Sequence, residues 1–98
     1  MRRAAKVDDT HKPIMDALRA ASISVRSCGA VGSGFPDLCA SYNGFTCLIE
    51  CKTGNKRLNE MQKDFSNAWQ GTIITANNPE QAVREFFKEY AVRILSKV

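Results

Sequence analysis

Three side chains of this 98-residue sequence have types and spacing that could perform chemistry: Asp37, Glu50 and Lys52. Asn43-Gly44 lies between the acids, and this dipeptide is the strongest short signal for a two-residue hairpin, because both positions tolerate positive φ. Such a turn pairs Tyr42 with Phe45. Stepping outward, it then sets Cys39 against Leu48, Leu38 against Ile49 and Asp37 against Glu50. Residues directly opposite point to the same side of a sheet, with Cβ atoms about 4.5–5.5 Å apart. Lys52, two positions beyond Glu50, projects from that side about 6.6 Å further along the strand. The other side carries Leu38, Ala40, Phe45, Cys47, Ile49 and Cys51, which is a surface made for a core.

Two ionised carboxylates about 5 Å apart repel by roughly 3 kcal/mol at an effective dielectric near ~20. A fold keeps such a pair when a cation sits between them. Lys52 alone meets that need as an ion-pair cluster of small energetic value. A divalent ion meets it as a site, and hard oxygen ligands at this separation suit Mg²⁺ or Mn²⁺. The residues by themselves leave both readings open.

The elements that must position these side chains can be read from periodicity. Asp8-Asp9-Thr10 starts a first helix, which tolerates Pro13 only in its first turn, and Ile14, Ala17, Leu18 and Ala21 form its apolar stripe. Ser22 to Cys28 alternates polar with apolar and reads as a half-buried strand. Gly29 to Gly34 is a glycine-rich loop. No Gly-Lys-Ser/Thr follows it, so it is not a phosphate cradle of the P-loop kind, and a plain turn is expected, with close backbone approach to a ligand as the alternative. Strands over 37–42 and 45–52 form the hairpin. Leu58, Met61, Phe65, Ala68 and Trp69 mark a second helix, and Thr72 to Ala76 a short apolar strand. Asn78 caps a last helix that Pro79 opens, with a stripe of Val83, Phe86, Phe87, Tyr90, Ile94 and Leu95. The fold class expected is α/β, with one mixed four-stranded sheet flanked by helices.

Length and charge bound the rest. Residues 8–98 make a single domain, preceded by a basic arm over 1–7. A net charge of +4 favours a polyanionic partner. Cys28, Cys39, Cys47 and Cys51 show no C-x-x-C pair, and there is one histidine, so buried free thiols are expected rather than a zinc knuckle. With no export signal and no apolar run of bilayer length, a reducing cytoplasm is the expected setting.

The motif Pro36-Asp37 followed by Glu50-Cys51-Lys52 resembles that of the PD-(D/E)XK nuclease superfamily, whose restriction-endonuclease-like core has the same α-β-β-β-α-β order. The flanks sharpen the likeness. Gly32-Ser33-Gly34-Phe35-Pro36-Asp37-Leu38, Leu48-Ile49-Glu50-Cys51-Lys52-Thr53, Leu58-Asn59-Glu60-Met61-Gln62 and Trp69-x-Gly71 together look like the VRR-NUC domain, in a stand-alone, phage-type form. The resemblance spans most of the chain, from about Val7 to Ala82. It implies a metal-dependent endonuclease of DNA, selective for branched structure in the manner of a Holliday-junction resolvase. The alternatives are a less selective nicking or restriction-like nuclease, and a non-catalytic basic nucleic-acid-binding module.

The same resemblance implies a role for each residue. Asp37, Glu50 and the backbone carbonyl of Cys51 would hold Mg²⁺ or Mn²⁺, Lys52 would orient the water or stabilise charge, and Gln62 would position them from the next helix. An acidic or amide residue of the first helix tends to approach the metal in this family. Asp8 is the carry-over, with Asp9 and His11 as neighbours. Arg2, Arg3, Lys6, Lys56, Arg57 and Lys63 are candidate DNA contacts. Paired cuts in branched DNA need two active sites, so a homodimer is expected, with Ile94, Leu95 and Val98 at a two-fold interface. The cytoplasm would then be that of the host cell if the protein is phage-encoded.

Overall fold

The computed structural model describes residues 11–52 and 57–96. Its elements run α1 (His11–Ala20), β1 (Ser24–Ser27), β2 (Leu38–Tyr42), β3 (Phe45–Cys51), α2 (Glu60–Ala68), β4 (Thr72–Ala76) and α3 (Pro79–Leu95). They build one four-stranded sheet of order β1-β2-β3-β4. The first three strands are antiparallel, and β4 lies parallel to β3. That last pairing requires a crossover, and α2 supplies it. The fold is therefore the expected mixed α/β arrangement in the α-β-β-β-α-β order, with α3 added.

The hairpin register is the one the turn dictates. Tyr42 pairs with Phe45, Cys39 with Leu48 and Leu38 with Ile49. Asn43 and Gly44 both adopt positive φ, +50° and +82°, which is the turn geometry that matches the strand twist. Leu38, Ala40, Phe45, Cys47 and Ile49 are buried on one side, against Ile14 and Leu18 of α1 and Phe86 of α3. Burying that many apolar side chains is the main stabilising term, at roughly 25 cal/mol per Å² removed from water.

Several boundaries are tighter than the sequence pattern implied. β1 spans four residues, because α1 ends in a chain reversal at Ser22, whose φ is +69°. There the Ile23 N–H donates to the Leu18 carbonyl and the Ser22 N–H to that of Arg19. This is the helix-ending motif usually built on glycine, here carried by a serine. β2 begins at Leu38, one residue after Asp37, for a reason taken up below. Pro13 sits in the first turn of α1, where the absence of its N–H costs nothing. Asn78 caps α3 by accepting from the Gln81 N–H at 2.7 Å, with Pro79 in the first turn.

α2 lies beside Glu50 and Lys52 on the opposite side of the sheet and buries none of its own residues fully. Met61 and Trp69 are 53% and 42% exposed, so its expected stripe is only partly covered. Phe35 from the β1–β2 loop packs edge-on to Phe65, and Phe65 stacks on Trp69, with centroids 5.1 and 5.0 Å apart. The four cysteines form no disulfide among the described residues. Cys47 and Cys51 are buried as expected, whereas Cys28 and Cys39 are only half-buried. Among the described residues no helix is long and apolar enough to cross a membrane. The basic arm, with Arg2, Arg3 and Lys6, together with Asp8, Asp9, Lys56 and Val98, lies outside the described residues.

Candidate metal-dependent active site

Asp37 stands one step before β2, where the ladder would set it opposite Glu50. Instead of extending that ladder through its backbone, Asp37 accepts the Cys51 N–H on its carboxylate Oδ2 at 2.8 Å. Its own carbonyl accepts from Cys28 N–H at 2.7 Å. The side chain has thus replaced a strand partner, which is why β2 starts a residue late.

Glu50 is 5% exposed although it lies on the side of β3 away from the apolar core. Its Oε2 accepts from Gln62 Nε2 at 2.8 Å and lies 3.6 Å from Lys52 Nζ. Burial pushes its carboxyl up to about 7, the adjacent Asp37 carboxylate adds to the rise, and Lys52 works against it. Two acids and one lysine in so dry a place leave negative charge only partly compensated.

Gln62 is the hub. Its Oε1 accepts from Lys52 Nζ at 2.9 Å and also from the Asn59 N–H at 2.9 Å. Asn59 Oδ1 in turn accepts the Gln62 N–H at 2.9 Å. This reciprocal pair is a capping box that satisfies two otherwise orphaned donors at the start of α2. One amide therefore starts the helix and ties Glu50 to Lys52. The N-x-x-Q spacing of Asn59 and Gln62 was a readable signal for the cap, which the sequence reading did not use.

Two further contributors, Gly34 and His11, take up roles that the sequence does not assign to them. Gly34, at φ +81°, runs against the first turn of α2, and a Cβ there would strike the Met61 carbonyl oxygen, with the carbonyl carbon at 2.7 Å. The glycine-rich loop is a close-approach element after all, and what it approaches is the chain's own helix. His11, expected only as a neighbour of Asp8, is 7% exposed at the start of α1, with Nε2 3.6 Å from Asp37 Oδ1. No sequence signal could have preferred it while Asp8 and Asp9 offered the more usual ligand type.

Asp37, Glu50, Cys51, Lys52 and Gln62 are thus brought together. Arg57 and Lys63 are exposed beside the start of α2 and within α2, and no ion pair is formed by either among the described residues. A shallow cleft over Glu50 is lined by Gly34, Pro36, Leu58, Gln62 and Thr75. Such an arrangement offers carboxylate oxygens to a hard cation and holds a lysine ammonium at a fixed point. Comparison with protein-family models, with curated proteins and with solved structures finds no match to the chain.

Proposed function

We propose that this protein is a metal-dependent DNA endonuclease of the VRR-NUC type within the PD-(D/E)XK superfamily, hydrolysing phosphodiester bonds with a preference for branched or otherwise structured DNA. The observation that carries the reading is the Gln62 amide spanning Glu50 and Lys52 beside Asp37. A buried acid beside a second carboxylate, its carboxyl pushed up to about 7 chiefly by burial, is the kind of group that a cation-binding site holds.

The donor set fits Mg²⁺ or Mn²⁺. Asp37, Glu50 and the backbone carbonyl of Cys51 would be its ligands, all oxygens, and the incompletely compensated charge at Glu50 is what a dication would balance. When bound, the ion supplies an activated water and neutralises charge on the scissile phosphate. Lys52, held by Gln62, keeps its ammonium where it can donate to that water or to a phosphate oxygen as negative charge develops. Gln62 fixes the Oε2 atom of Glu50, so the acid enters the reaction already oriented. Arg57 and Lys63, with the basic arm and Lys56, provide phosphate contacts. These position a duplex without reading its sequence.

Each site cuts one strand, so paired cuts call for two copies of the chain. Val92, Ile94 and Leu95 at the end of α3 are 56%, 45% and 70% exposed, an apolar end suited to a two-fold contact. The protein would act in the cytoplasm, that of the host cell if it is phage-encoded.

Incubation with four-way junction, flap, bubble, duplex and single-stranded DNA, with Mg²⁺, Mn²⁺ or chelator, tests the proposal. Metal-dependent cuts at branch points are expected. Equal cutting of plain duplex would assign a nicking nuclease instead. Cleavage that persists in chelator rules out the metal mechanism, and tight binding without cutting in either metal leaves a basic binding module.

A further inference from the structure

Asp37 faces two ways. Glu50 lies on one side of β3, and Cys51, the next residue, necessarily points to the other. On that second side, ligand atoms of His11, Asp37 and Cys51 all lie within 4.8 Å of one another. We propose that these three side chains form a second metal site, selective for a borderline transition ion of the Zn²⁺ class and sharing its aspartate with the Asp37–Glu50 pair.

The geometry is close to what such an ion requires. Ligands about 2.0–2.3 Å from a tetrahedral zinc stand roughly 3.3–3.8 Å from each other. His11 Nε2 and Asp37 Oδ1, at 3.6 Å, already have that spacing. The widest separation in the cluster needs to close by about 1 Å, which is within reach of side-chain torsions. The imidazole is buried, and the ring atom that faces Asp37 is Nε2, whose approach is longer than an N–H···O bond. Nε2 is therefore the ligand atom, and Nδ1, without a hydrogen-bond partner among the described residues, would carry the proton.

Charge and softness point the same way. A neutral imidazole, a carboxylate, a thiolate and a dication sum to zero, the only total that a buried site accommodates cheaply. Thiolate and imidazole favour Zn²⁺ over Mg²⁺, the reverse of the Asp37–Glu50 oxygens. On binding, the Cys51 S–H bond breaks, a sulfur–metal bond forms and the proton leaves to water. Three protein ligands leave a fourth position for water. Because Asp37 serves both sites, Zn²⁺ should compete with Mg²⁺. That consequence, unlike the site itself, rests on the nuclease reading.

Co²⁺ is the probe, titrated into the full chain under reducing, oxygen-free conditions. A near-ultraviolet thiolate-to-cobalt charge-transfer band should saturate at one equivalent and be bleached stoichiometrically by Zn²⁺. Cys51→Ser should remove the band, and His11→Gln should weaken Co²⁺ binding by about tenfold or more. Cys28→Ser and Glu50→Gln should keep it. No band in the wild type, or a band that survives Cys51→Ser, overturns the site. Circular dichroism checks that each variant is folded; should Cys51→Ser unfold, unchanged Co²⁺ affinity in His11→Gln overturns the site instead. If Zn²⁺ bleaches the band yet leaves Mg²⁺-supported cleavage untouched, the shared aspartate is wrong. A band in a protein that cuts no DNA supports this site and counts against the nuclease reading alone.

Discussion

Glu50 is buried beside a second carboxylate, and burial more than Asp37 moves its carboxyl from 4.5 to about 7. A folded pKa above the unfolded one contributes stability that is complete below about 4.5 and is lost as pH rises through about 7. The melting temperature in chelator should therefore fall between about pH 5 and pH 8. Glu50→Gln, which cannot ionise, should flatten that slope, and a wild-type Tm that rises over the interval would contradict the burial argument. The same substitution, or Asp37→Asn, should reduce cleavage to background while DNA binding persists or tightens, because less negative charge then meets the phosphate. Gel-shift and cleavage assays on one preparation separate the two effects. Wild-type cutting by either variant would be fatal to the assigned roles.

At the scale of elements, α2 starts on a bond network that also holds the site, and the two tasks can be separated. Asn59→Ala deletes the acceptor for the Gln62 N–H but leaves the Asn59 N–H bonded to Gln62 Oε1. It should cost about 1 kcal/mol in denaturant unfolding with little loss of cleavage. Gln62→Ala removes the links to Glu50 and Lys52 as well, and should cost about 10–100-fold in activity. Equal activity losses in the two variants would reduce Gln62 to a cap. Gly34→Ala places a methyl group against the Met61 carbonyl at a φ that side chains resist, and should destabilise the fold by about 1–3 kcal/mol. The hairpin was legible in the sequence because a two-residue turn fixes register locally. That arithmetic puts Asp37, Glu50 and Lys52 on one side of the hairpin. Gly34 and His11 were not legible, since their roles exist only once α2 and α1 have docked. The burial of Glu50 was equally hidden, because nothing in β3 announces that a helix will cover its polar side.

The whole molecule leaves the end of α3 bare while its first half is packed into the core. Ala82 and Phe86 are fully buried, whereas Leu95 is 70% exposed. If that bare end joins two copies, sedimentation at micromolar concentration should show a dimer, and Leu95→Glu with Ile94→Glu should yield a folded monomer that nicks but no longer makes paired cuts. A wild-type monomer would refute the two-fold arrangement. The basic residues add a long-range prediction. Affinity for duplex DNA should fall with salt at a log–log slope of about −0.9 for each phosphate contacted, and Lys63→Ala should make the slope shallower by about one contact.

The tight turn at Asn43-Gly44 also imposes a rule of parity on the length of the chain. A single residue added to the β3 arm between Phe45 and Ile49, with the pairing kept in step from the turn, would send Glu50 inward and Ile49 to the side where Gln62 lies, because strand side chains alternate. Two added residues would return each to its own side, at the expense of a longer tip that no longer lets Asn43 reach the Tyr90 hydroxyl, 3.1 Å away. Functional descendants of this sequence should therefore vary there by even steps or not at all.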